Sequence, residues 1–191
     1  MQNPQLGLIG LGRMGANMAQ RLMSAGQRVA VCDTQAGAVQ ALVAAGAQGA
    51  TTLTEFVALL APPRAVWIMV PAAAVDGVIA QLLPLLAPGD TVIDGGNSHW
   101  QDDIRRARAL ADRGLHYVDV GVSGGVWGRS RGYCLMIGGE PGPVRALDKV
   151  FAALAPGLDA APRTAGREGE AGSAERGYLH CGPAGAGHFV K

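Results

Sequence analysis

Short apolar runs alternate along this chain with longer stretches in which apolar residues recur at helical spacing. The first run, residues 6–10, is followed by residues 14–25, where Met14, Met18 and Leu22 lie on one helical face. Apolar runs this short, without polar alternation, are typical of strands covered on both faces. The pattern therefore predicts crossover units in a doubly wound, mostly parallel α/β sheet of Rossmann type.

The same pattern places elements along most of the chain. The predicted strands are residues 6–10, 28–33, 65–70, 90–94, 115–120 and 133–137. The predicted helices are residues 14–25, 39–45, 54–60, 75–86, 101–112 and 144–154, with Thr54 as the N-cap of the third. Residues 160–177 are rich in Ala, Gly, Arg and Glu, which predicts a mobile surface loop.

Composition excludes several classes of protein. Hydrophobic residues make up 49% of the 191 residues, too many for a disordered chain. The net charge is +1 and no basic run stands out, so we expect no nucleic-acid partner. No secretory signal and no bilayer-length apolar run is visible, so we expect no membrane partner. The three cysteines, Cys32, Cys134 and Cys181, are scattered, as expected in a reducing cytoplasm.

Glycine is in excess, with 29 residues, and a GxGxxG motif accounts for part of it. The motif directly follows the first predicted strand and opens a helix; it consists of Gly10, Leu11, Gly12, Arg13, Met14 and Gly15. In such a motif the first glycine permits a tight turn, the second lets backbone approach a pyrophosphate, and the third allows close helix packing. Helix N–H groups then bind the pyrophosphate charge. The alternative is a glycine turn that binds nothing.

An acidic residue, Asp33, ends the next predicted strand at the spacing expected of a dinucleotide site. Its carboxylate can accept the ribose hydroxyls of NAD and would repel the 2′-phosphate of NADP. Thr34 and Gln35 follow, and neither is a cation that could neutralise that phosphate. We therefore expect NAD as the cofactor, with NADP less favoured. The alternative for Asp33 is a turn or a helix N-cap.

The segment Met69, Val70 and Pro71 closes another predicted strand at the carboxyl edge, where such sheets bind ligands. We expect it to line the cofactor cleft through its backbone. Equally, Pro71 could simply end the strand.

Three further segments carry polar groups beside paired glycines. They are residues 94–98 with Asn97, the loop of Ser123, Gly124 and Gly125, and residues 185–191 with Lys191. Backbone N–H groups, an amide and a hydroxyl suit a polyhydroxy or anionic ligand. Any one segment alone is more often an ordinary turn, but together with the dinucleotide motif they indicate a substrate site.

These motifs make the chain resemble the decarboxylating 6-phosphogluconate dehydrogenases. The resemblance covers nearly all 191 residues and rests on residues 10–15, 94–98, 123–125, 132–139 (GYCLMIGG) and 185–191 (GAGHFVK), the last being the most specific. Residues 126–136 resemble the shorter branch of that family, some members of which prefer NAD. The resemblance implies oxidation and decarboxylation of 6-phosphogluconate to ribulose 5-phosphate, a step of the pentose phosphate pathway.

The resemblance also implies roles for individual residues. Lys191 aligns with the family's catalytic lysine, which takes the proton of the substrate's 3-hydroxyl and then, as an ammonium, assists loss of carbon dioxide. Asn97 is implied as a further catalytic group that contacts both substrate and nicotinamide. Ser123, with the backbone of the two glycines after it, is implied in substrate binding. His188 matches the motif, and we interpret it as structural. No metal is implied.

In the family, the helix that carries the lysine continues beyond it with a segment that supplies the general acid. An all-helical domain follows, with basic residues for the substrate phosphate and most of the dimer contact. We therefore expect residues 1–178 to form the dinucleotide-binding domain and residues 179–191 to form a last strand and the start of that helix. Full-length members are homo-oligomeric. We expect this chain alone to bind NAD but to turn over 6-phosphogluconate poorly or not at all.

Two other functions remain open. Dehydrogenases of the 3-hydroxyisobutyrate type share the GLGxMG opening, the SGG loop and a lysine, but typically lack the motifs of residues 94–98 and 185–191. A non-catalytic NAD-binding module is the other alternative. The presence of Lys191, Asn97 and Ser123 favours an enzyme over such a module.

Overall fold

The computed structural model describes residues 5–163 and 165–191. Its strands are β1 (Leu6–Ile9), β2 (Val29–Cys32), β3 (Gln48–Ala50), β4 (Ala65–Ile68), β5 (Thr91–Asp94), β6 (His116–Ser123), β7 (Cys134–Gly139) and β8 (Tyr178–Gly182). Its helices are α1 (Arg13–Ser24), α2 (Ala36–Ala44), α3 (Leu53–Ala58), α4 (Ala72–Leu82), α5 (Trp100–Ala111), α6 (Gly128–Arg131), α7 (Pro141–Ala146), α8 (Asp148–Leu154), α9 (Ser173–Arg176) and α10 (Ala186–Val190).

The strands form one sheet in the order β3-β2-β1-β4-β5-β6-β7-β8. Neighbouring strands are parallel except β6 and β7, which are antiparallel. This confirms the predicted Rossmann-like, mostly parallel sheet. The strand order reverses between β1 and β4, and ligands of such sheets bind at the carboxyl ends of the strands on either side of that reversal.

Alternate residues of the strands enter two hydrophobic cores, one on each face of the sheet. In β4, Trp67 lies on one face, while Val66 and Ile68 lie on the other. Helices α1, α2 and α8 cover the first face, and α3, α4 and α5 cover the second. Trp67 is fully buried and meets Phe151 of α8 edge-on, with ring centroids 6.1 Å apart. Because both faces are covered, the strands carry nearly continuous apolar runs.

Some predicted boundaries were wrong. Strand β3 was missed, because Gln-Gly-Ala forms no apolar run. Helix α4 begins at Ala72, earlier than predicted, and ends at Leu82, because the ring of Pro84 cannot continue the helical hydrogen bonds. The N-cap of α3 is Thr52 rather than Thr54, since the Thr52 hydroxyl accepts the Glu55 N–H at 3.2 Å.

Helix α9 lies within the stretch that the sequence predicts as a mobile loop. There the guanidinium of Arg163 pairs with both carboxylate oxygens of Glu175, at 2.9 and 3.0 Å. The mobility of this stretch stays a prediction, as does the division of the chain at residue 178. In the part of the chain that the structure describes, no helix is long and apolar enough to cross a membrane.

Candidate functional site

The glycine motif forms a closed turn between β1 and α1. Gly10 has a φ of +92°, and a Cβ placed on it would lie 2.7 Å from the carbonyl oxygen of Met69. A Cβ on Gly15 would lie 2.0 Å from the carbonyl oxygen of Gly10. Both positions therefore require glycine. Around Gly12, in contrast, no described atom other than those of its chain neighbours lies within 4 Å of the corresponding Cβ position, so this residue faces open space.

Helix α1 begins at this open side of the turn. Gly12 is its N-cap, and the first helical residues are Arg13 and Met14. Among the described residues, no side chain caps this end, and the first turn carries no acidic residue. The N-terminal N–H groups of a helix and its dipole attract anions. The open glycine and the uncapped helix start therefore fit the pyrophosphate of a dinucleotide.

Asp33 links the end of β2 to the glycine turn. One carboxylate oxygen accepts the Leu11 N–H at 2.6 Å, and the other accepts the Gln35 N–H at 2.8 Å. The hydroxyl of Thr34 lies 3.5 Å from the second oxygen. The N-cap of α2 is Gln35, so Asp33 forms a turn rather than a helix cap. Each carboxylate oxygen has a second lone pair, so these bonds leave room for ribose hydroxyls.

The segment after β4 packs against the same turn. The Met69 N–H donates to the carbonyl of Ile9 at 2.8 Å, and a Cβ on Gly10 would lie 2.9 Å from a methyl carbon of Val70. Pro71 is the N-cap of α4, three residues beyond the last residue of β4, so its role is at the helix start rather than at the strand end. Met69 and Val70 thus lie beside the proposed pyrophosphate site.

Asn97 projects from the loop that follows β5. The fully buried Asp94 shapes this loop, because its carboxylate accepts the Gly96 N–H at 3.0 Å and the Ser98 hydroxyl at 2.6 Å. Asn97 itself is exposed, and its side-chain carbonyl accepts a hydrogen bond from the amine of Lys191. The two residues that the sequence proposes as catalytic are therefore in direct contact.

Lys191 extends from α10 across β6. A Cβ on Gly121 would lie 2.7 Å from the Cβ of Lys191, so this glycine makes room for the lysine side chain. Partial burial lowers the pKa of the Lys191 amine below its ordinary value. A lowered pKa increases the fraction of neutral amine, the form that can act as a base.

A buried carboxylate fixes the start of α10. Asp119 of β6 is fully buried and accepts the N–H groups of Gly185 at 2.6 Å and of His188 at 2.9 Å. Burial raises the pKa of Asp119. A Cβ on Gly187 would lie 2.6 Å from the Asp119 carbonyl oxygen, so α10 can approach β6 this closely only with glycine there.

Ser123, Gly124 and Gly125 lie at the end of β6, close to Lys191. Ser123 is two residues beyond Gly121, on the same face of the strand and about 7 Å farther along it. All three residues of the loop are exposed. The loop, Asn97 and Lys191 therefore share the sheet edge where the glycine turn also lies.

Sequence reasoning missed a buried network beneath these residues. Asp103 of α5 accepts the Tyr117 hydroxyl at 2.7 Å and contacts the ring of His188 at 2.7 Å, while the Arg106 guanidinium donates to Asp94 at 3.1 Å. Asp103 is 85 positions away from His188 in the chain, and Arg106 lies on the same helix as Asp103, so no local spacing pointed to them. The only signal was the presence of carboxylates on an otherwise amphipathic helix.

Asp94, Asp103 and His188 lie close enough together to hold a metal ion, with ligand atoms within 4.8 Å of one another. However, the Arg106 guanidinium lies 3.1 Å from one of these carboxylates and 3.6 Å from the other. Because a guanidinium of the protein already pairs with both carboxylates, we interpret the group as an ion-paired network.

Comparison with known proteins identifies the family. A family model described as the NAD binding domain of 6-phosphogluconate dehydrogenase matches residues 5–161. The chain belongs to this family. The resemblance drawn from the sequence motifs is thereby confirmed, and the glycine turn, Asp33 and the Met69 segment all lie within the matched range of this 6-phosphogluconate dehydrogenase domain.

Curated relatives extend the similarity to the end of the chain. An NAD⁺-dependent, decarboxylating 6-phosphogluconate dehydrogenase of Haloferax volcanii is 40% identical over 98% of this chain and 56% of its own length. An NADP⁺-dependent one of Bacillus subtilis is 35% identical over 100% of this chain and 39% of its own length. The chain thus spans about half the length, or less, of these relatives. Since both cofactors occur among them, the comparison shows an NAD(P)-binding domain.

Solved structures agree with the fold. The 6-phosphogluconate dehydrogenase of Plasmodium falciparum, studied with NADP⁺ and with 6-phosphogluconate, superimposes with a TM-score of 0.80 at 25% identity, over 97% of this chain and 38% of its own. A 3-hydroxyisobutyrate dehydrogenase of Salmonella typhimurium gives 0.79 at 26% identity, over 98% of this chain and 60% of its own. The fold is therefore common to enzymes with different substrates.

Proposed function

We propose that this chain is the cofactor-binding part of an oxidoreductase that converts 6-phosphogluconate to ribulose 5-phosphate and carbon dioxide. One observation carries the proposal: the amine of Lys191 donates a hydrogen bond to the side chain of Asn97 at the sheet edge where the glycine turn opens. A base beside a dinucleotide site is the arrangement that oxidation of a secondary alcohol needs.

In this proposal Lys191 serves twice. As a neutral amine it accepts the proton of the substrate's 3-hydroxyl while C3 is oxidised to a ketone. As the resulting ammonium it donates a hydrogen bond to the 3-keto oxygen. When the bond to the carboxyl group breaks and carbon dioxide leaves, negative charge develops on that oxygen, and the ammonium stabilises it. Burial lowers the pKa of Lys191, which increases the fraction of the neutral amine that can act as a base.

Polar groups near Lys191 would hold the substrate. The amide of Asn97 and the hydroxyl of Ser123 suit the hydroxyls of a sugar acid, and the exposed backbone of Gly124 and Gly125 suits its carboxylate. Asn97 contacts the amine of Lys191, so it can orient the base and the substrate together. The nicotinamide cofactor, when bound, supplies the hydride acceptor.

NAD is the cofactor that we propose. The pyrophosphate would bind the motif made of Gly10, Leu11, Gly12, Arg13, Met14 and Gly15, beside Met69, Val70 and Pro71. Asp33 and Thr34 would face the adenosine ribose. Asp33 accepts N–H groups on both oxygens, and a carboxylate at this position repels a 2′-phosphate.

A 3-hydroxyisobutyrate-type activity is the second candidate, because such an enzyme shares the fold at a TM-score of 0.79. Both substrates should therefore be tested with the native polypeptide that carries this sequence, with NAD and with NADP. We expect reduction of NAD and release of carbon dioxide with 6-phosphogluconate only. Turnover of 3-hydroxyisobutyrate without 6-phosphogluconate turnover would overturn the proposal.

We further propose that the 191 residues by themselves bind the dinucleotide but turn over 6-phosphogluconate poorly. The Haloferax relative is almost twice as long as the matched segment, which covers 56% of it, so residues beyond this segment can contribute to its substrate site. Calorimetric titration with NAD and a steady-state assay on the same sample test both halves of the proposal. A normal turnover number for the isolated 191 residues would contradict it.

A further inference from the structure

Both ring nitrogens of His188 face oxygen atoms in the protein interior. Nδ1 lies 2.7 Å from a carboxylate oxygen of Asp103, and Nε2 lies 3.1 Å from the carbonyl oxygen of Gly96. The His188 side chain is only 2% exposed, so water does not compete for these contacts. A neutral imidazole donates through one nitrogen and accepts through the other.

The hydrogen-bond partners of the two ring nitrogens therefore determine the charge of the His188 ring. A carbonyl oxygen only accepts, so Nε2 carries a proton. The other oxygen of Asp103 accepts the Tyr117 hydroxyl and lies 3.6 Å from the Arg106 guanidinium, as expected of a carboxylate, so Nδ1 also donates. With both nitrogens protonated, His188 is an imidazolium.

The charges around His188 are consistent with this state. Arg106 of α5 is a second cation, and Asp94 of β5 and Asp119 of β6 are further carboxyl groups near the ring, in addition to Asp103. Burial opposes a charged ring, but the hydrogen bond and the charge of Asp103 outweigh it and raise the pKa of His188.

The His188 ring connects α10 to the loop after β5. These two segments also carry Lys191 and Asn97. Gly96 directly precedes Asn97, and His188 lies one helical turn before Lys191 on α10. We propose that His188 is a positioning residue: as an imidazolium held between Asp103 and the Gly96 carbonyl, it fixes the amine of Lys191 against Asn97. We call the group formed by His188, the Asp103 carboxylate and the Gly96 carbonyl the imidazolium clasp. The inference rests on the proposed roles of Lys191 and Asn97 in the reaction.

The charge state can be measured on the unaltered chain. With ¹⁵N-labelled histidine, NMR reports whether each ring nitrogen carries a proton. We expect both nitrogens of His188 to be protonated at pH 7.5, with resonances assigned by the variant His188→Gln. A neutral tautomer of His188 at that pH would overturn the proposal.

The positioning role can be tested by titrating the amine of Lys191. The chain contains only two lysines, Lys149 and Lys191, so their signals can be told apart. With ¹³C-labelled lysine, each amine can be titrated separately. In the unaltered chain we expect the Lys191 signal to shift when His188 loses its proton, with the same midpoint. A purely structural histidine that stays folded through that pH range would leave the Lys191 signal unmoved, and such a result would overturn the proposal.

A variant gives the complementary measurement. In His188→Gln, the uncharged amide replaces the cation that joins the Asp103 carboxylate to the Gly96 carbonyl. We therefore expect the amine of Lys191 to become more solvated and to titrate at a higher pH. The matched control is His116→Gln, an exposed histidine at the start of β6, which should leave Lys191 unchanged. If folded His188→Gln gives an unchanged Lys191 titration, the proposal is wrong.

These experiments need no substrate and no turnover. An intact clasp in a protein that fails to oxidise 6-phosphogluconate would contradict the proposed function alone. Conversely, active protein with a neutral His188 would contradict the clasp alone.

Discussion

The amine of Lys191 donates a hydrogen bond to the side-chain carbonyl of Asn97, although the two residues are 94 positions apart in the chain. Hydrogen bonds to two buried carboxylates bring them together. Asp94 folds the loop that presents Asn97, and Asp119 holds the first N–H groups of the helix that carries Lys191. Both are buried carboxylates on neighbouring parallel strands, and Asp94 of β5 is paired in register with Asp119 of β6. The sheet itself therefore sets the distance between the two groups.

A charge placed beside Lys191 should change its protonation in a defined direction. In Asn97→Asp the new carboxylate stabilises the ammonium form, so we expect the Lys191 titration midpoint to rise by about one pH unit. The measurement is the ¹³C titration of the two lysines, with Lys149 as the internal reference. An unchanged midpoint for Lys191 would show that the two side chains do not meet in solution.

The preference for NAD should depend on the charge of Asp33. In Asp33→Asn one side-chain oxygen can still accept the Leu11 N–H, but the negative charge is gone. We expect NAD affinity to fall and NADP affinity to rise, so that the ratio of the two dissociation constants changes by about tenfold, or about 1.4 kcal/mol. Titration calorimetry with each dinucleotide measures this ratio.

A second variant separates the charge of Asp33 from its bond to the glycine turn. Asp33→Ala removes both, so we expect binding of both dinucleotides to weaken, because the Leu11 N–H loses its partner at 2.6 Å. Asp112→Asn, a change of charge at the end of α5, serves as the control and should alter neither affinity. An unchanged ratio in Asp33→Asn would contradict the proposed basis for NAD preference.

Much of this architecture is predictable from local pattern. The glycine turn, Asp33 and the parallel strands follow from residues adjacent in sequence, because a βα unit is a local structure. Strand β3 escaped prediction because Gln48, Gly49 and Ala50 are held by pairing with β2 rather than by their own apolar content. Tertiary pairing overrides local propensity in such short strands.

The support beneath the site is not predictable in this way. Asp103 and Asp119 are single carboxylates on different elements, and only the folded sheet brings them to α10. A hint to the packing of α10 was Gly121, which lies between two valines of a strand, since glycine inside a strand often marks close approach of another segment. Its partner, Lys191, is 70 residues away and could not be inferred from β6.

Gly121 should therefore not tolerate a side chain. In Gly121→Ala the new Cβ would lie 2.7 Å from the Cβ of Lys191 and 2.9 Å from the carbonyl oxygen of Gly187, so α10 must move. We expect the free energy of unfolding to fall by about 1–3 kcal/mol, as for other overpacked sites. Urea denaturation followed by circular dichroism gives the value.

Gly77→Ala is the matched control for that substitution. Gly77 is exposed inside α4, and apart from its chain neighbours and the backbone of its own helix no described atom lies within 4 Å of its Cβ position. Alanine there should stabilise the protein by about 0.5–1 kcal/mol, because glycine is a poor helix residue. If Gly121→Ala were as stable as Gly77→Ala, the close packing of Lys191 on β6 would be disproved.

The imidazolium clasp should make stability depend on pH in one direction. The pKa of His188 is raised in the folded protein, so its contribution is fully present below the unfolded pKa of about 6.5 and is lost as the pH rises through the folded pKa. At pH 6 we expect His188→Gln to lower the free energy of unfolding by about 2 kcal/mol, since hydrogen bonds to charged groups are lost. Toward pH 9 the difference between the two proteins should shrink. Urea denaturation at pH 6, 7, 8 and 9 measures it, with His116→Gln as the control; a difference that grows with pH would mean that His188 is held as the neutral ring.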